Sequence, residues 1–475
     1  MRKKLESTIK AAVWCTAALS LAGAIWLMFT RNPEAVVFDG AGFGIQLFGS
    51  AMVILMLAYF LIQSLLAWSY REAPELSDEE LPKCTVIVPA YNEGEYVLTA
   101  LRSVAACDYP AGKLEIIAVN DGSQDDTWEW MRRAEQEFPG LIVAKNFKRN
   151  RGKRHALYEG IRIAHGDIVV TIDSDSEVTR DSLRKIAAPF AKPSVGAVAG
   201  SIRVSNLEEG IIPRMLDVAF VFGFEFIRCA QSKIGSVLCT PGALSAYRVS
   251  AIRPLLEEWV NQTFLGEPSG IGEDRAITSL LLRERWRVEF QCNAIAWTKM
   301  PTHYGPLCKM LLRWTRSDIR ENLIMFGVLL RRFEPFNLEL LGLQLNLVVM
   351  SLSILLPLFS IPFSIIGLVL DPLPFLVWTV FGTMIWSFVP AAIYASRASL
   401  RESVWSFVYG IYNLVALSWV CVYSLLTVRN SKWMTRGVSV LTATTVKSSF
   451  SSEKAPEFPP RSFFVRTRPG NRKIC

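Results

Sequence analysis

Two carboxylates, Asp173 and Asp175, stand two residues apart at the end of the β-branched run Val169–Ile172. A strand that ends there presents both side chains at its carboxyl end, where open α/β sheets bind ligands. Paired carboxylates in that position suit a hard divalent cation such as Mg²⁺ or Mn²⁺, and such a cation suits a diphosphate. An isolated Asp-x-Asp is more often an ordinary acidic turn, so the interpretation depends on the elements around it.

The chain around this pair alternates between strand and helix patterns. Apolar, β-branched runs predict strands at Cys84–Pro89, Leu114–Val119, Leu141–Lys145 and Asp167–Ile172, and helical periodicity predicts helices at Val97–Ala106 and Asp125–Glu137. This alternation predicts a parallel, doubly wound (Rossmann-like) α/β sheet. Tyr91 and Asp121 also follow predicted strands, so candidate binding residues gather at one edge of that sheet.

Each of these residues has a functional and a structural interpretation. Tyr91 could stack on a nucleobase or pack its loop, and Asp121 could bind a base or ribose or close an Asx-turn. Lys153 and Arg154 follow Gly152 at a predicted helix start, which favours a role in neutralising a diphosphate over that of solvated charges. The chain has neither G-x-G-x-x-G nor a Walker lysine, so a nucleotide is not held as in dehydrogenases or P-loop enzymes.

Two later segments carry further candidates. Glu273 and Asp274 stand between a glycine and a predicted helix, where they could cap that helix or supply a general base. Residues 306–333 form an amphipathic, basic helix or helix pair that contains Arg313 and Trp314. Trp314 could be a stacking platform for a sugar ring, or its helix could simply lie on a membrane surface.

Long uncharged stretches surround this region. The chain has 475 residues, 51% of them hydrophobic, and a net charge of +8. The stretches of membrane-spanning length are Ala11–Thr30, Gly40–Tyr70, Leu340–Leu370, Pro372–Ser396 and Val404–Val428. We therefore predict two N-terminal transmembrane helices in 1–71, a catalytic-sized domain in 72–305, interface helices in 306–337, further transmembrane helices in 338–428 and a basic tail in 429–475.

Basic residues predict the orientation of these segments. Four Lys or Arg residues in Met1–Lys10 and Arg71 after the second stretch place the N-terminus and the following domain in the cytoplasm. The protein is then a multi-pass plasma-membrane protein in contact with lipid. The basic tail suits anionic lipid, and no nucleic-acid-binding module accompanies it. No obligate protein partner is indicated.

The order of the motifs resembles that of membrane-embedded family 2 glycosyltransferases, and within them hyaluronan synthases and the chitooligosaccharide synthases of nodulation. The motifs are Pro89–Glu93, Asn120–Ser123, Gly152–Ala156, Asp173–Ser176, Gly242–Arg248, Gly272–Arg275 and Arg313–Ser317. The resemblance covers about residues 85–333 and the arrangement of the apolar stretches. It implies a GT-A-type cytoplasmic domain inserted between transmembrane helices, and a processive hexosyltransferase that acts on UDP-sugars.

The resemblance also implies roles for individual residues. Tyr91 and Asp121 match uridine-binding positions, with Glu93 close by, and Lys153, accompanied by Arg154, matches the lysine that contacts the donor. Asp173 and Asp175 match the metal-binding D-x-D, and Asp274, with Glu273 beside it, matches the general base. The last two positions of the acceptor-binding Q-x-x-R-W motif correspond to Arg313 and Trp314. Finally, Trp433 and Arg436 match the ends of the W-G-T-R gating loop of hyaluronan synthases.

Two positions depart from the family pattern. Met310 stands where Q-x-x-R-W has its glutamine, and Met434 replaces the glycine of W-G-T-R. The expected function is a processive, inverting β-glycosyltransferase that uses UDP-GlcNAc and UDP-GlcA, as hyaluronan synthases do. The alternatives are a chitooligosaccharide-type enzyme that uses UDP-GlcNAc alone and a non-catalytic, nucleotide-sensing membrane protein. A cytoplasmic Trp433 requires an even number of C-terminal spans, so we expect four, with Leu340–Leu370 folded at Pro357 and Pro362 as a hairpin or two spans.

Overall fold

The computed structural model describes residues 41–329, 334 and 337–430. The strands are β1 (Cys84–Ala90), β2 (Leu114–Asn120), β3 (Ile142–Asn146), β4 (Ile168–Thr171), β5 (Ser176–Val178), β6 (Val195–Val204), β7 (Ser245–Arg248), β8 (Thr263–Phe264), β9 (Glu267–Pro268) and β10 (Arg287–Thr298). Eight of them form one sheet in the order β3-β2-β1-β4-β7-β6-β10-β5, and β8 and β9 form a separate hairpin.

The helices flank this sheet and then extend away from it. They are α1 (Ala41–Ser69), α2 (Tyr96–Ala105), α3 (Thr127–Glu137), α4 (Lys153–Ile163), α5 (Ser182–Ala187), α6 (Ile211–Phe220), α7 (Ile227–Lys233), α8 (Val249–Ile252), α9 (Leu256–Val260), α10 (Glu273–Arg283), α11 (Tyr304–Leu329), α12 (Leu338–Leu370), α13 (Pro372–Arg397), α14 (Trp405–Tyr412) and α15 (Ser418–Leu426). A π-helical turn, Val221–Phe226, joins α6 to α7.

The predicted parallel direction is confirmed for β1–β4, and β6 and β10 also pair in parallel, but the sheet as a whole is mixed. β1 pairs in parallel with β2 and β4, and β2 pairs in parallel with β3. β7, however, is antiparallel to both β4 and β6. The chain between β6 and β7 runs through α6 and α7, and Cys229 and Ala230 of α7 share a core with Ala197 and Ala199 of β6. β7 then enters the sheet beside β6 in the opposite direction, with Ser245 opposite Ala199.

Both faces of the sheet are buried, which explains the continuous apolar runs of its strands. In β1 the side chains alternate between two cores: Val86 and Val88 belong to the core beneath α2, whereas Ile87 belongs to the core beneath α4. All three side chains are fully buried. The predicted strands therefore agree with the observed ones to within one or two residues, because β-branched runs of that length have few alternatives.

Three helical stretches are long and apolar enough to cross a membrane: Leu338–Leu358, Pro372–Arg397 and Glu402–Leu426. The prediction that Leu340–Leu370 folds into a hairpin or two spans is wrong, because this stretch lies within the single continuous helix α12. Pro357 and Pro362 both lie inside that helix. Apolar helices of this kind tolerate proline because neighbouring groups satisfy the freed carbonyls.

Gly122, directly after β2, allows two loops to approach each other. Its φ is +72°, and a Cβ there would lie 2.4 Å from the backbone carbon of Arg149 and 2.5 Å from the backbone nitrogen of Asn150. Both the conformation and the close approach therefore require glycine. The segment held against it leads directly into α4.

We expect Gly122→Ala to destabilise the protein more than the same change at Gly112. Gly112 has a φ of +80° with nothing within 4 Å of a built Cβ, so alanine there adds only backbone strain of about 1–3 kcal/mol. Gly122→Ala adds that strain and also displaces the 149–150 backbone. Thermal unfolding of both purified variants in detergent compares the two effects, and equal losses in melting temperature would contradict the close approach.

Candidate active site

The strand ends of the parallel half of the sheet meet at one edge. Ala90, the last residue of β1, is paired with Asn120 of β2, which is paired with Asn146 of β3. β4 ends at Thr171, opposite Ile87. The residues that follow β1, β2 and β4, among them Tyr91, Asp121 and Asp173, therefore lie along the same edge, as the sequence predicts.

Asp121 organises the basic loop that precedes α4. Asp121 is 1% exposed, and its carboxylate accepts hydrogen bonds from the backbone N–H groups of Arg151 (2.8 Å) and Gly152 (2.9 Å). The sequence interpretation, a nucleotide ligand or an Asx-turn, did not include this contact. Because the carboxylate fixes the two residues before Lys153, it sets where that side chain enters the site.

Lys153 lies at the centre of the site. Its Nζ donates to the carboxylate of Asp173 and lies 2.9 Å from Oε1 of Glu273. Burial alone lowers the pKa of this ammonium group, but Asp173 and Glu273 outweigh that effect and raise it. A Cβ on Gly242 would lie 2.6 Å from Nζ, so the Pro-Gly segment packs its backbone directly against this ion pair. The lysine therefore joins the D-x-D segment to the start of α10.

Arg154 does not lie beside Lys153 at the sheet edge, and its position contradicts the prediction that it neutralises a diphosphate. Its guanidinium is buried and donates to the carbonyl oxygen of Trp259 (2.8 Å) and to Oε1 of Gln262 (3.0 Å). It also lies over the ring of Trp259, 5.7 Å from its centroid. Adjacent residues of a helix point about 100° apart, so only Lys153 faces the sheet edge.

Asp175 lies at the mouth of the site. The residue is exposed, but protein atoms surround much of its carboxyl group. This partial burial and the negative charge of Asp173 raise the pKa of Asp175 to about 6, while the positive charge of Lys153 acts in the opposite direction. Within the described ranges, no group of three or more His, Cys, Asp or Glu residues could by itself hold a metal ion. Two carboxylates fit Mg²⁺ or Mn²⁺ where a substrate phosphate and water supply the remaining ligands.

Glu273 and Asp274 are adjacent but electrostatically different. Burial pushes the pKa of Glu273 up, but Lys153 and then Arg313 lower it to about 2. Burial and the charge of Glu273 raise the pKa of Asp274, with Lys153 opposing them. Neither side chain caps α10, whose N-cap is Gly272. Glu273 is therefore a permanently charged partner of Lys153, whereas Asp274 is the carboxylate suited to accept a proton.

The aromatic side of the site is built by α6, the π-helical turn and α11. The Trp314 ring centroid lies 6.0 Å from that of Phe220 and 5.9 Å from that of Phe224. Met310 is buried in the same apolar cluster. A thioether at the position of the family glutamine is thus explained by packing, since a glutamine amide there would need buried hydrogen-bond partners.

Sequence reasoning missed three groups around Asp274. Cys239 Sγ lies 3.8 Å from Asp274 Oδ2. The charged side chains of Arg228 and Asp318 both interact electrostatically with the Asp274 carboxyl group. The spacing of Asp318, one helical turn after Trp314, was the available signal. Trp433 and Arg436 lie outside the described residues, so their predicted contact with nucleotide remains a prediction.

Comparison with known proteins identifies the family. Residues 85–256 match the model of Glycosyl transferase family 2. A protein named N-acetylglucosaminyltransferase from Azorhizobium caulinodans is 32% identical over 397 residues, which cover 82% of this chain and 96% of that protein. Another of the same name from Rhizobium leguminosarum bv. viciae is 32% identical over 383 residues, covering 80% and 87%.

A solved structure shows the same fold. The mannosyltransferase of Pyrobaculum calidifontis, in complex with GDP-Man and Mn²⁺, has a TM-score of 0.50 and 23% identity; the match covers 76% of this chain and 97% of that one. The described sheet, with its parallel half and its antiparallel β7, is therefore of the GT-A type. On its sequence relatives and its fold, the chain is a glycosyltransferase that belongs to family 2.

Proposed function

We propose that this protein is a membrane-bound N-acetylglucosaminyltransferase that extends a β-linked saccharide from UDP-GlcNAc alone. The observation that carries the proposal is Lys153, which joins the D-x-D carboxylate Asp173 to the segment that holds Asp274. That contact brings a site for the donor's diphosphate next to a base for the acceptor. The names of the relatives from Azorhizobium and Rhizobium support the choice of sugar.

The reaction follows from the two carboxylates of α10. Asp274 takes the proton of the acceptor hydroxyl as its oxygen forms a bond to the anomeric carbon and the bond from that carbon to the diphosphate breaks. A single displacement inverts the anomeric centre, so an α-linked donor gives a β-linkage. Lys153 stabilises the negative charge that develops on the departing UDP, and Glu273 keeps the ammonium group in place.

The donor is bound along the sheet edge. Tyr91 and Glu93 lie in the loop after β1, whose backbone N–H groups at Glu93 and Gly94 donate to the hydroxyl of Thr127. Asp121 contributes by fixing the loop that leads to Lys153. Asp173 and Asp175 would hold Mg²⁺ or Mn²⁺, and such a cation neutralises charge on a diphosphate leaving group.

A hyaluronan synthase-like polymerase is the second candidate. It is favoured by the W-x-T-R pattern that Trp433 and Arg436 form after α15. The two candidates share the site and differ in the donors they consume.

The membrane arrangement can be inferred from contacts at helix ends. α12 begins beside the catalytic domain, where Glu339 pairs with Arg287, and α13 ends beside it, where Arg397 Nη1 lies 2.9 Å from Glu225 Oε1. The connection between them at Asp371 is flanked by exposed apolar side chains. We infer that α12 and α13 cross the bilayer as an antiparallel pair.

The third apolar stretch, Glu402–Leu426, lies next to the catalytic domain at one end and next to α11 at the other. At one end Arg214 lies over the ring of Trp405, 5.6 Å from its centroid. At the other, Arg320 donates to the carbonyl oxygens of Val428 and Asn430 (both 2.8 Å). We infer that this stretch lies along α11 at the membrane surface. Between the catalytic domain and residue 430, α12 and α13 are then the two spans, an even number, which keeps residue 430 cytoplasmic.

We predict that reporters fused after Asp371 and after Cys475 give opposite results in bacterial cells. Green fluorescent protein fluoresces when it lies in the cytoplasm, whereas alkaline phosphatase is active only outside it. Fused after Cys475, the fluorescent protein should therefore fluoresce and the phosphatase should be inactive. The Asp371 fusions are the matched control and should show the reverse. Active phosphatase at Cys475 would contradict the two-span arrangement.

A product assay with purified protein tests the function. With labelled UDP-GlcNAc alone, we expect UDP release and a β-linked oligosaccharide, both stopped by EDTA and restored by Mn²⁺ or Mg²⁺. A requirement for UDP-GlcA as well would favour the hyaluronan-type enzyme. No UDP release from either donor, with or without metal, would overturn the proposed transferase and favour a sensing role.

We expect Asp274→Asn to reduce turnover by about 10²–10⁴-fold, the usual contribution of a general base, with UDP affinity nearly unchanged. In the wild type, the raised pKa of Asp274 moves the acid limb of the pH–rate profile above the ordinary range of an aspartate, because the base works only when deprotonated. Stopped or continuous UDP-release assays across pH, with UDP binding by calorimetry as the control, measure both. Wild-type turnover in the variant would remove Asp274 as the base.

A further inference from the structure

Three partly exposed side chains, Asp274, Cys239 and Asp318, lie where the Cys239 segment, the start of α10 and the middle of α11 meet. We call the space in front of them the recess. Asp318 Oδ1 on α11 lies 3.6 Å from Nε of Arg275 on α10, and Cys239 Sγ lies 3.8 Å from Asp274. Arg228 of α7 completes the group through its charge, which acts on Cys239, Asp274 and Asp318.

The accessible charged group on the α11 side of this recess is an acid. The side chain of Asp318 is 37% exposed, whereas that of its partner Arg275 is 3% exposed. Arg228 is buried as well, at 5%. A molecule that enters the recess therefore meets the carboxylate of Asp318 first, with the two cations behind it.

The residues on either side of Asp318 in α11 are enclosed by protein. Its neighbours Ser317 and Ile319 are both buried. Burial by the surrounding protein raises the pKa of its carboxyl to about 6, with Arg275 lowering it and Asp274 raising it. The carboxyl is thus open to a ligand yet surrounded by protein, and it is still mostly ionised at neutral pH.

The position of Asp318 relative to Trp314 suits a sugar. Residues four apart on a helix lie one above the other on the same face, so the indole and the carboxylate face the same space. A hexose has apolar C–H faces that stack on an aromatic ring and a rim of hydroxyl groups that donate to a carboxylate.

Arg228 supplies a further polar group to this space. Its guanidinium lies over Phe224, 4.6 Å from the ring centroid, and Phe224 contacts Trp314. Its Nη1 is buried and has no hydrogen-bond partner within the described part of the chain. A buried N–H without a partner is uncommon in proteins. The positive charge of Arg228 helps to keep the Asp318 carboxyl ionised.

We propose that Asp318 is a specificity-determining residue for the acceptor. Its carboxylate accepts hydrogen bonds from hydroxyl groups of a neutral sugar stacked on Trp314, and together with Asp274 it disfavours an acceptor whose terminal sugar carries a carboxylate. The inference rests on the proposed transferase function and adds to it the charge class of the acceptor. Like charges in a crowded recess repel each other much more strongly than in water.

The test compares two acceptors with the full-length protein in detergent. One is a neutral chitooligosaccharide, and the other is an oligosaccharide of similar length that ends in glucuronic acid. In the wild type we expect transfer to the neutral acceptor to be favoured. In Asp318→Asn, the KM for the neutral acceptor should rise about tenfold, the usual loss for a hydrogen bond to a charged group. The KM for UDP-GlcNAc should change much less, and the preference for the neutral acceptor should fall.

Two further variants keep the result interpretable. Glu129→Gln removes an exposed carboxylate from α3, far along the chain, and should leave the acceptor preference as in the wild type. Asp318→Ser also removes the carboxylate and replaces Asp318→Asn if that variant does not fold. An unchanged acceptor preference in the folded Asp318 variants, or equal rises in both KM values, would overturn the role of Asp318.

The proposed function can fail separately. If the wild type releases UDP and the Asp318 variants keep its acceptor preference, the transferase stands and only the Asp318 inference is overturned. If the wild type releases no UDP from UDP-GlcNAc in the presence of metal, both are overturned.

Discussion

The buried ammonium group of Lys153 is the constraint on which the rest of the site depends. It contacts Asp173, which follows β4, and Glu273, which opens α10, and these segments are 100 residues apart in sequence. Without this cation the carboxylates of Asp173 and Glu273 would have no opposite charge between them and would repel each other. A Cβ on Gly242 would lie within 3.1 Å of both Lys153 Nζ and the Asp173 carboxylate, so a side chain there would displace the ion pair.

The same cation separates the roles of two neighbouring acids. Glu273 is stabilised in its charged form by Lys153, and its negative charge in turn raises the pKa of Asp274. Two adjacent carboxylates therefore differ in environment, because Glu273 contacts the ammonium group of Lys153 and Asp274 lies next to Cys239. Such a division of environments commonly marks the acid or base of an active site.

Much of the sheet edge could be predicted from sequence, because short β-branched runs specify strands and parallel strands end at the same edge. That is why Tyr91, Asp121 and Asp173 lie where the pattern places them. The direction of β7 could not be predicted, since periodicity identifies a strand but not the path by which the chain enters a sheet. The orientation of Arg154 was likewise inaccessible, because it depends on Trp259 and Gln262, about 105 residues away in sequence.

In the apolar helices, too, the sequence predicts some features and not others. Composition identified the apolar stretches, but it could not show that Leu340–Leu370 is one helix. Nor could it show that Glu402–Leu426 lies next to the catalytic domain at one end and next to α11 at the other. Those facts depend on contacts such as that of Arg320 with Val428. Similarly, Asp318 becomes a candidate only when its neighbours Arg275 and Asp274 are seen.

The most direct measurement is a cryo-EM map of the full-length protein with UDP and Mn²⁺. We expect metal density between the diphosphate and the carboxylates of Asp173 and Asp175. Lys153 should contact the diphosphate while Asp121 still holds the backbone of residues 151 and 152. Metal density away from both carboxylates, or nucleotide bound at another edge of the sheet, would contradict the assignment of this edge as the donor site.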